Sequence, residues 1–214
     1  MELDLDERVP PVRPRGTDVI LRIAERFLQR VAPQCLAEPV PVDLDHVVSE
    51  KLFDFGIDVY PADDHELTTL GNEGYTQYED GRVVVVLKER QWTALTDHGF
   101  ALHRARTTVG HELGHAVLHR DVLEQMAAVK VANPAAALHR VRRRDIKPYC
   151  DPEWQAWAFC GGILLPREAL RKLHGHSLED ISREFQVSLP MIRSHLRKLG
   201  RFGFQVQGGL LVAA

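Results

Sequence analysis

The segment His111-Glu112-Leu113-Gly114-His115 constrains this chain more than any other stretch of it. Two histidines four residues apart face the same way only where the backbone between them is helical, one turn above the other. Val109, Leu113, Val117 and Leu118 give that helix an apolar side, so it is expected to lie half buried against other elements. At 214 residues the chain is long enough to build the core this requires.

The apolar period changes several times around this segment. From Thr17, read as an N-cap, Ile20, Ile23, Ala24, Phe27, Leu28 and Val31 recur at helical spacing until Pro33. A second helix is expected from Asp43 to Phe55, ended by Gly56. Ile57 to Tyr60 alternates, Val83 to Val86 is a β-branched run that reads as a buried strand, and Asp80-Gly81 reads as a hairpin turn. Helical pattern returns over Phe100–Arg120 and Asp151–Leu165, where Pro166 interrupts it. Ser177 to Asp180 then caps a short helix, Gln186-Val187-Ser188 makes a turn, and Leu189–Leu199 forms another helix, a helix-turn-helix silhouette. The class is α+β: a mostly helical domain over 17–172 with a small, mainly antiparallel sheet, followed by a helix-turn-helix-like unit over 173–214. Residues 1–16, with Pro10, Pro11 and Pro14 among charges, read as a flexible lead.

Composition enters through what it excludes. A formal charge of -3 rules out a uniformly basic nucleic-acid binder, so any DNA contact has to be local. Cys35, Cys150 and Cys160 are odd in number, widely spaced and without a Cys-x-x-Cys pair; they read as reduced thiols, with Cys160 plain core. The acidic start, Met1 to Asp6, lacks the order of a secretory signal, and no apolar run approaches the roughly 20 residues of a membrane span. A cytoplasmic location without membrane contact is expected.

The chemistry concentrates on the two histidines. One turn apart, His111 and His115 can aim two imidazoles at one cation, and Glu112 beside them is placed to act as general base. The opposing reading is a helix with two satisfied core histidines and a solvated Glu. A catalytic zinc needs three protein ligands. His119 is too far along the same helix and is read as a supporting or packing residue, while Asp121 lacks the preceding glycine turn that would bring it round. Glu153, at the start of the apolar helix Glu153–Cys160, is the better candidate, weighed against a surface glutamate favoured by the helix dipole. Gly161-Gly162 would let another backbone come close there.

Two blocks carry a resemblance. Arg106 to His119 resembles the "R-F-T-x-A-H-E-x-G-H-x-x-x-H" block of ImmA/IrrE-type metallopeptidases, and Glu153 to Pro166 resembles their "E-x-x-A-N-x-F-A-x-x-L-L-x-P" helix. Thr107, Gly110, Trp157 and Cys160 depart from the usual Phe, Ala, Asn and Ala. With the N-terminal helix and the strand through Val83–Leu87, the resemblance spans roughly residues 17–200. It implies a zincin-like fold, one Zn2+ on His111, His115 and Glu153, and Glu112 as catalytic base. It also implies a zinc-dependent endopeptidase that cleaves a helix-turn-helix (XRE-type) repressor, relieving repression in stress responses or mobile-element induction. The alternative is a regulatory DNA-binding or toxin-like partner of a repressor, with a zinc site that only stabilises the fold. Arg193, Arg197 and Lys198 could reach DNA from the last helix, but Pro190 stands where recognition side chains usually begin, and DNA is the less favoured partner. The basic run His139 to Arg144 is read as a rim loop able to dock acidic substrate, or as merely solvated, and Tyr75, Tyr78 and Tyr149 stand as unranked oxyanion donors.

Overall fold

The computed structural model describes residues 7–69, 73–132 and 141–213. The acidic start, the turn at Gly71, and His139 and Arg140 of the basic run lie outside them. Residues 7–16, expected as a flexible lead, are packed instead: β1 (Arg8–Val9) pairs antiparallel with Val141–Arg142, and Val9 and Val12 are buried. Val12 N–H donates to the Cys150 carbonyl and Arg15 N–H to that of Tyr149. The neighbouring prolines fix an extended backbone in advance, which lowers the entropy lost on docking.

Helix α1 (Thr17–Val31) buries the face its periodicity marks, with Gly16 rather than Thr17 as N-cap. The helix expected over 43–55 changes pitch. Asp43 caps α2 (Leu44–His46), which widens to a π turn over Val47–Lys51 and tightens to a 3-10 turn over Phe53–Phe55. The wider turn brings Val47 and Leu52, five apart, to one side, where both are buried. Gly56 ends the stretch in the left-handed conformation.

Strand β2 (Ile57–Ala62), helix α3 (Asp64–Thr69) and strands β3 (Gly74–Glu79) and β4 (Arg82–Lys88) follow. Their sheet has the order β2-β4-β3. Asp80 and Gly81, both at positive φ, close the expected antiparallel β3–β4 hairpin. Unexpectedly, β2 pairs parallel to β4, so the Val83 run is the central strand and β3 is an edge. Arg82 fastens the parallel pair through two hydrogen bonds, of 2.6 and 2.8 Å, to Asp58.

The short α4 (Glu89–Thr93) leads into α5 (Gly99–Leu118), the central helix. The chain breaks at His119 and re-enters α6 (Arg120–Ala132), a helix the sequence reading left out. Beyond β5 (Val141–Arg142) come α7 (Pro152–Leu164), α8 (Arg167–Arg171), α9 (Leu178–Phe185), α10 (Leu189–Leu199) and the hairpin of β6 (Phe204–Gln207) and β7 (Leu210–Ala213). Ser177 and Asp180 form a capping box on α9, Gln186 turns the chain through positive φ, and Ser188 caps α10.

Helices α1 and α5 flank α7, and glycines set both approaches. A Cβ on Gly162 would come within 2.9 Å of the Ala24 Cβ of α1. A Cβ on Gly114 would come within 2.8 Å of the Ala156 backbone of α7. The C-terminal helices pack on this core: buried His195 of α10 occupies the space above Gly161. Arg106 of α5, also buried, donates to the carbonyls of Val42 at 2.7 Å and Phe185 at 3.3 Å. Among the described residues no helix is long and apolar enough to cross a membrane.

Candidate metal centre

Helix α5 presents His111 and His115 one turn apart, and α7 delivers Glu153 from its first turn. That turn is held firmly. Asp151 caps α7 by accepting the Glu153 N–H at 3.0 Å, Pro152 pre-sets the first helical position, and buried Arg143 pairs with Asp151 at 3.3 Å and with Glu7 at 2.9 Å. Arg143 thus belongs to the scaffold behind Glu153, not to a solvated rim loop.

The Nε2 atoms of His111 and His115 lie 3.1 Å apart, and each is 3.2 Å from one carboxylate oxygen of Glu153. These three side chains form a group able to hold a metal ion, with ligand atoms within 4.8 Å of one another. A tetrahedral ion with bonds of about 2 Å separates its ligand atoms by about 3.3 Å, so the donor set fits such an ion. Burial alone would raise the Glu153 carboxyl, but hydrogen bonds and charge from His111 and His115 outweigh it and hold the group well below the usual carboxylate range. Burial would likewise lower His115, yet its bond to Glu153 leaves it above the ordinary imidazole value.

His119 continues the site inward. Its Nδ1 is 3.1 Å from Nδ1 of His115, and its Nε2 is 3.3 Å from Oε1 of Gln155. The Gln155 amide nitrogen donates to the carbonyls of Arg13 at 2.9 Å and Tyr149 at 2.7 Å, which fixes the amide's orientation. Its oxygen then requires a proton on His119 Nε2, leaving His119 Nδ1 as acceptor for a proton on His115 Nδ1. The chain of bonds therefore fixes the proton on His115 Nδ1 and leaves Nε2 as the atom that faces Glu153 and His111. Burial, then the charge of His115, pushes His119 down to about 3, consistent with a neutral ring.

Glu112 faces the other way, toward edge strand β3. Thr76 Oγ1 donates to its Oε2 at 2.7 Å. The strand comes this close because position 74 is glycine: a Cβ there would lie 3.3 Å from Glu112 Cγ and 2.9 Å from the Val86 carbonyl. A cleft of about 530 Å³ opens over His111 and Glu112, walled by Gly74, His103, Thr108 and Trp157. The Trp157 ring lies 4.3 Å, centre to centre, from the His111 ring.

The structure thus brings His111, Glu112, His115 and Glu153 to one place and leaves Asp121 exposed on α6. Tyr75, Tyr78 and Tyr149 do not line the cleft: Tyr75 and Tyr78 flank a groove against α6, and Tyr149 is exposed. Sequence reasoning missed Thr76 and Gln155. Gln155 had a signal, as a polar residue on an otherwise apolar helix, whereas Thr76 had none because its partner is 36 residues away. The departures at 110 and 160 explain each other, since a Cβ on Gly110 would meet the Cys160 sulfur at 2.9 Å.

Comparison with known proteins adds the following. No characterised protein sequence matches the chain. Among solved structures, a Mycobacterium tuberculosis transcriptional regulator superposes with a TM-score of 0.49 and 17% identity, covering 84% of this chain and 47% of that one. The chain therefore spans about half the length of that regulator. Residues 94–197 match the peptidase M78 family, described as an IrrE N-terminal-like domain, and this segment holds the whole His111, Glu112, His115 and Glu153 cluster. Residues 94–197 are thus similar to the IrrE N-terminal-like peptidases, the family that the two motif blocks resemble.

Proposed function

We propose that the chain is a zinc-dependent endopeptidase in which His111, His115 and Glu153 hold the ion and Glu112 is the general base. The observation that carries this reading is the open cleft above His111 and Glu112. A zinc site that only stabilises a fold is closed by four protein ligands, whereas among the described residues three candidates converge here beside a carboxylate that lines the cleft. A bound zinc ion supplies Lewis acidity toward the scissile carbonyl and toward water. The chain's own residues do the rest. Thr76 engages one oxygen of Glu112, which fixes the carboxylate's direction and leaves its other oxygen to take a proton from attacking water and return it to the leaving amine. Trp157 and Gly74 wall the cleft beside this oxygen and limit its access to bulk water.

The resemblance further supports a helix-turn-helix repressor as substrate, cleaved to relieve repression. Glu112→Gln tests the enzyme reading: cleavage of a purified repressor of that class, or of unstructured peptides, should fall about 10²–10⁴-fold while zinc content stays at one per chain. Undiminished cleavage by that variant would sink the assignment of the base. Zinc retention without cleavage by the unmodified chain would favour the stabilising site instead.

A further inference from the structure

Beyond the metal cleft, a second cavity of about 290 Å³ lies between α7 and α10. Trp154, Trp157, Pro190, Met191, Ser194 and Lys198 form most of its wall. The two spaces adjoin, because Thr107, Trp157 and Ser188 line both. A polypeptide seated over His111 and Glu112 therefore meets this cavity as its neighbour along the cleft.

Its chemistry is unusual for the molecule. Trp154, Trp157, Pro190 and Met191 give the cavity an apolar side, Thr107, Ser188 and Ser194 add hydroxyls, and Lys198 is its one titratable group, whose ammonium donates to Ser194 Oγ at a long 3.4 Å. Other sequestered cations of the chain have a carboxylate: Lys88 pairs with Glu73 at 3.1 Å, Arg143 with Glu7 at 2.9 Å and Arg167 with Glu25 at 2.6 Å. Arg106 has two carbonyls instead. Among the described residues no carboxylate pairs with Lys198, and burial already pushes its ammonium below the ordinary lysine value. A partly desolvated cation in the wall of a cavity that also carries two indoles is a site that an incoming anion completes.

We infer that this cavity is a specificity subsite for a glutamate side chain of the polypeptide substrate, its methylenes lying along Trp154 and Trp157 and its carboxylate reaching Lys198. Two indoles and a thioether suit an aliphatic stem; a nucleic-acid phosphate carries none, and the exposed Arg193 and Arg197 of α10 are not part of the wall. The inference rests on the peptidase reading and gives α10 a task within it: its first turns, where a DNA reader would place recognition side chains, form one side of the substrate path.

The test uses the full chain, loaded with zinc and carrying Glu112→Gln so that peptides bind without turnover. Two dansyl-labelled peptide pools are compared by anisotropy, identical but for one Glu in each peptide of the first and Gln at the same position in the second. With Lys198 present the Glu pool should bind at least about tenfold tighter, as for a charge-assisted bond in a partly buried site. In Lys198→Met the ratio should fall to near one, and in Lys198→Glu a matched Lys pool should overtake the Glu pool. Equal binding of the two pools by the Lys198 protein overturns the subsite whatever the variants do. Cleavage of the same pools by the chain with Glu112 intact, mapped by mass spectrometry, keeps the two readings apart. Cuts at a fixed spacing from Glu support both, cuts with no regard to Glu leave the peptidase and refute the subsite, and Glu-selective binding without cuts does the reverse.

Discussion

Gly114→Ala probes the step on which the metal centre depends, the approach of α7 to α5. Gly114 sits between the two histidines, and the methyl it would gain falls 2.8 Å from both the Cα and the carbonyl oxygen of Ala156 and 3.1 Å from the carbonyl carbon. These are backbone atoms with no rotamer to change, and ordinary contact begins near about 3.4 Å, so α7 has to retreat by about 0.6 Å. Glu153 is three residues before Ala156 on the same helix and moves with it. Its 3.2 Å separations from His111 and His115 then widen to about 3.8 Å, beyond the about 3.3 Å that tetrahedral bonds of about 2 Å set. Overpacking costs about 1–3 kcal/mol and the better helix propensity of alanine returns about 1, so the metal-free protein should lose roughly 1 kcal/mol of stability. Zinc affinity, read by competition with a fluorescent chelator, should fall by more, about 10–100-fold, because ligand spacing is what changes. Gly110→Ala is the control: its methyl would meet side-chain atoms only, the nearest being the Cys160 sulfur at 2.9 Å, so zinc affinity should stay near that of the parent. Equal zinc affinity of Gly114→Ala and the parent would refute the claim that this glycine sets the metal geometry.

Other outcomes follow from the same contacts. Gln155→Leu removes the acceptor that fixes the His119 and His115 tautomers, so zinc affinity should fall about tenfold; imidazole nitrogen NMR that still shows His115 protonated at Nδ1 would contradict the bond chain. Burial and the charge of Lys198 push His195 down to about 3, so below an unfolded value of about 6.5 the unfolded chain takes up a proton that the folded chain refuses. Stability should therefore decline as pH falls from about 6.5 toward 3, with His195 contributing a loss of about 2 kcal/mol by pH 5. Denaturant melts should show that His195→Gln flattens this slope, and parallel slopes would discount the histidine. Arg106→Ala leaves the Val42 and Phe185 carbonyls unpaired in the interior and should cost about 3 kcal/mol in the same assay, against well under 1 for exposed Arg193→Ala.

The parts legible from sequence are those whose signal is local. The periodicity of α1, the Asp80-Gly81 hairpin, the Ser177 capping box and the four-residue histidine spacing each follow from neighbouring residues, and each element is there. Glu153 needed more, since 38 residues separate it from His115 and only the apolar character of its helix and a resemblance pointed to it. What escaped was set by distant partners or by packing. The parallel pairing of β2 depends on the path taken through α3 and β3, and nothing in Ile57–Tyr60 distinguishes it from an antiparallel strand. The docking of residues 7–16 depends on two valines finding a strand more than 130 residues later. The pitch change over Val47–Lys51 is a compromise between helix and core that propensity does not record.

The two carbonyls that satisfy Arg106 lie 64 residues before it and 79 residues after it. A nascent chain leaving the ribosome can offer the first at once, but it carries a half-partnered guanidinium in its central helix until α9 has been made. The helix bearing His111 and His115 thus gains the second of these anchors only with the arrival of the last helices.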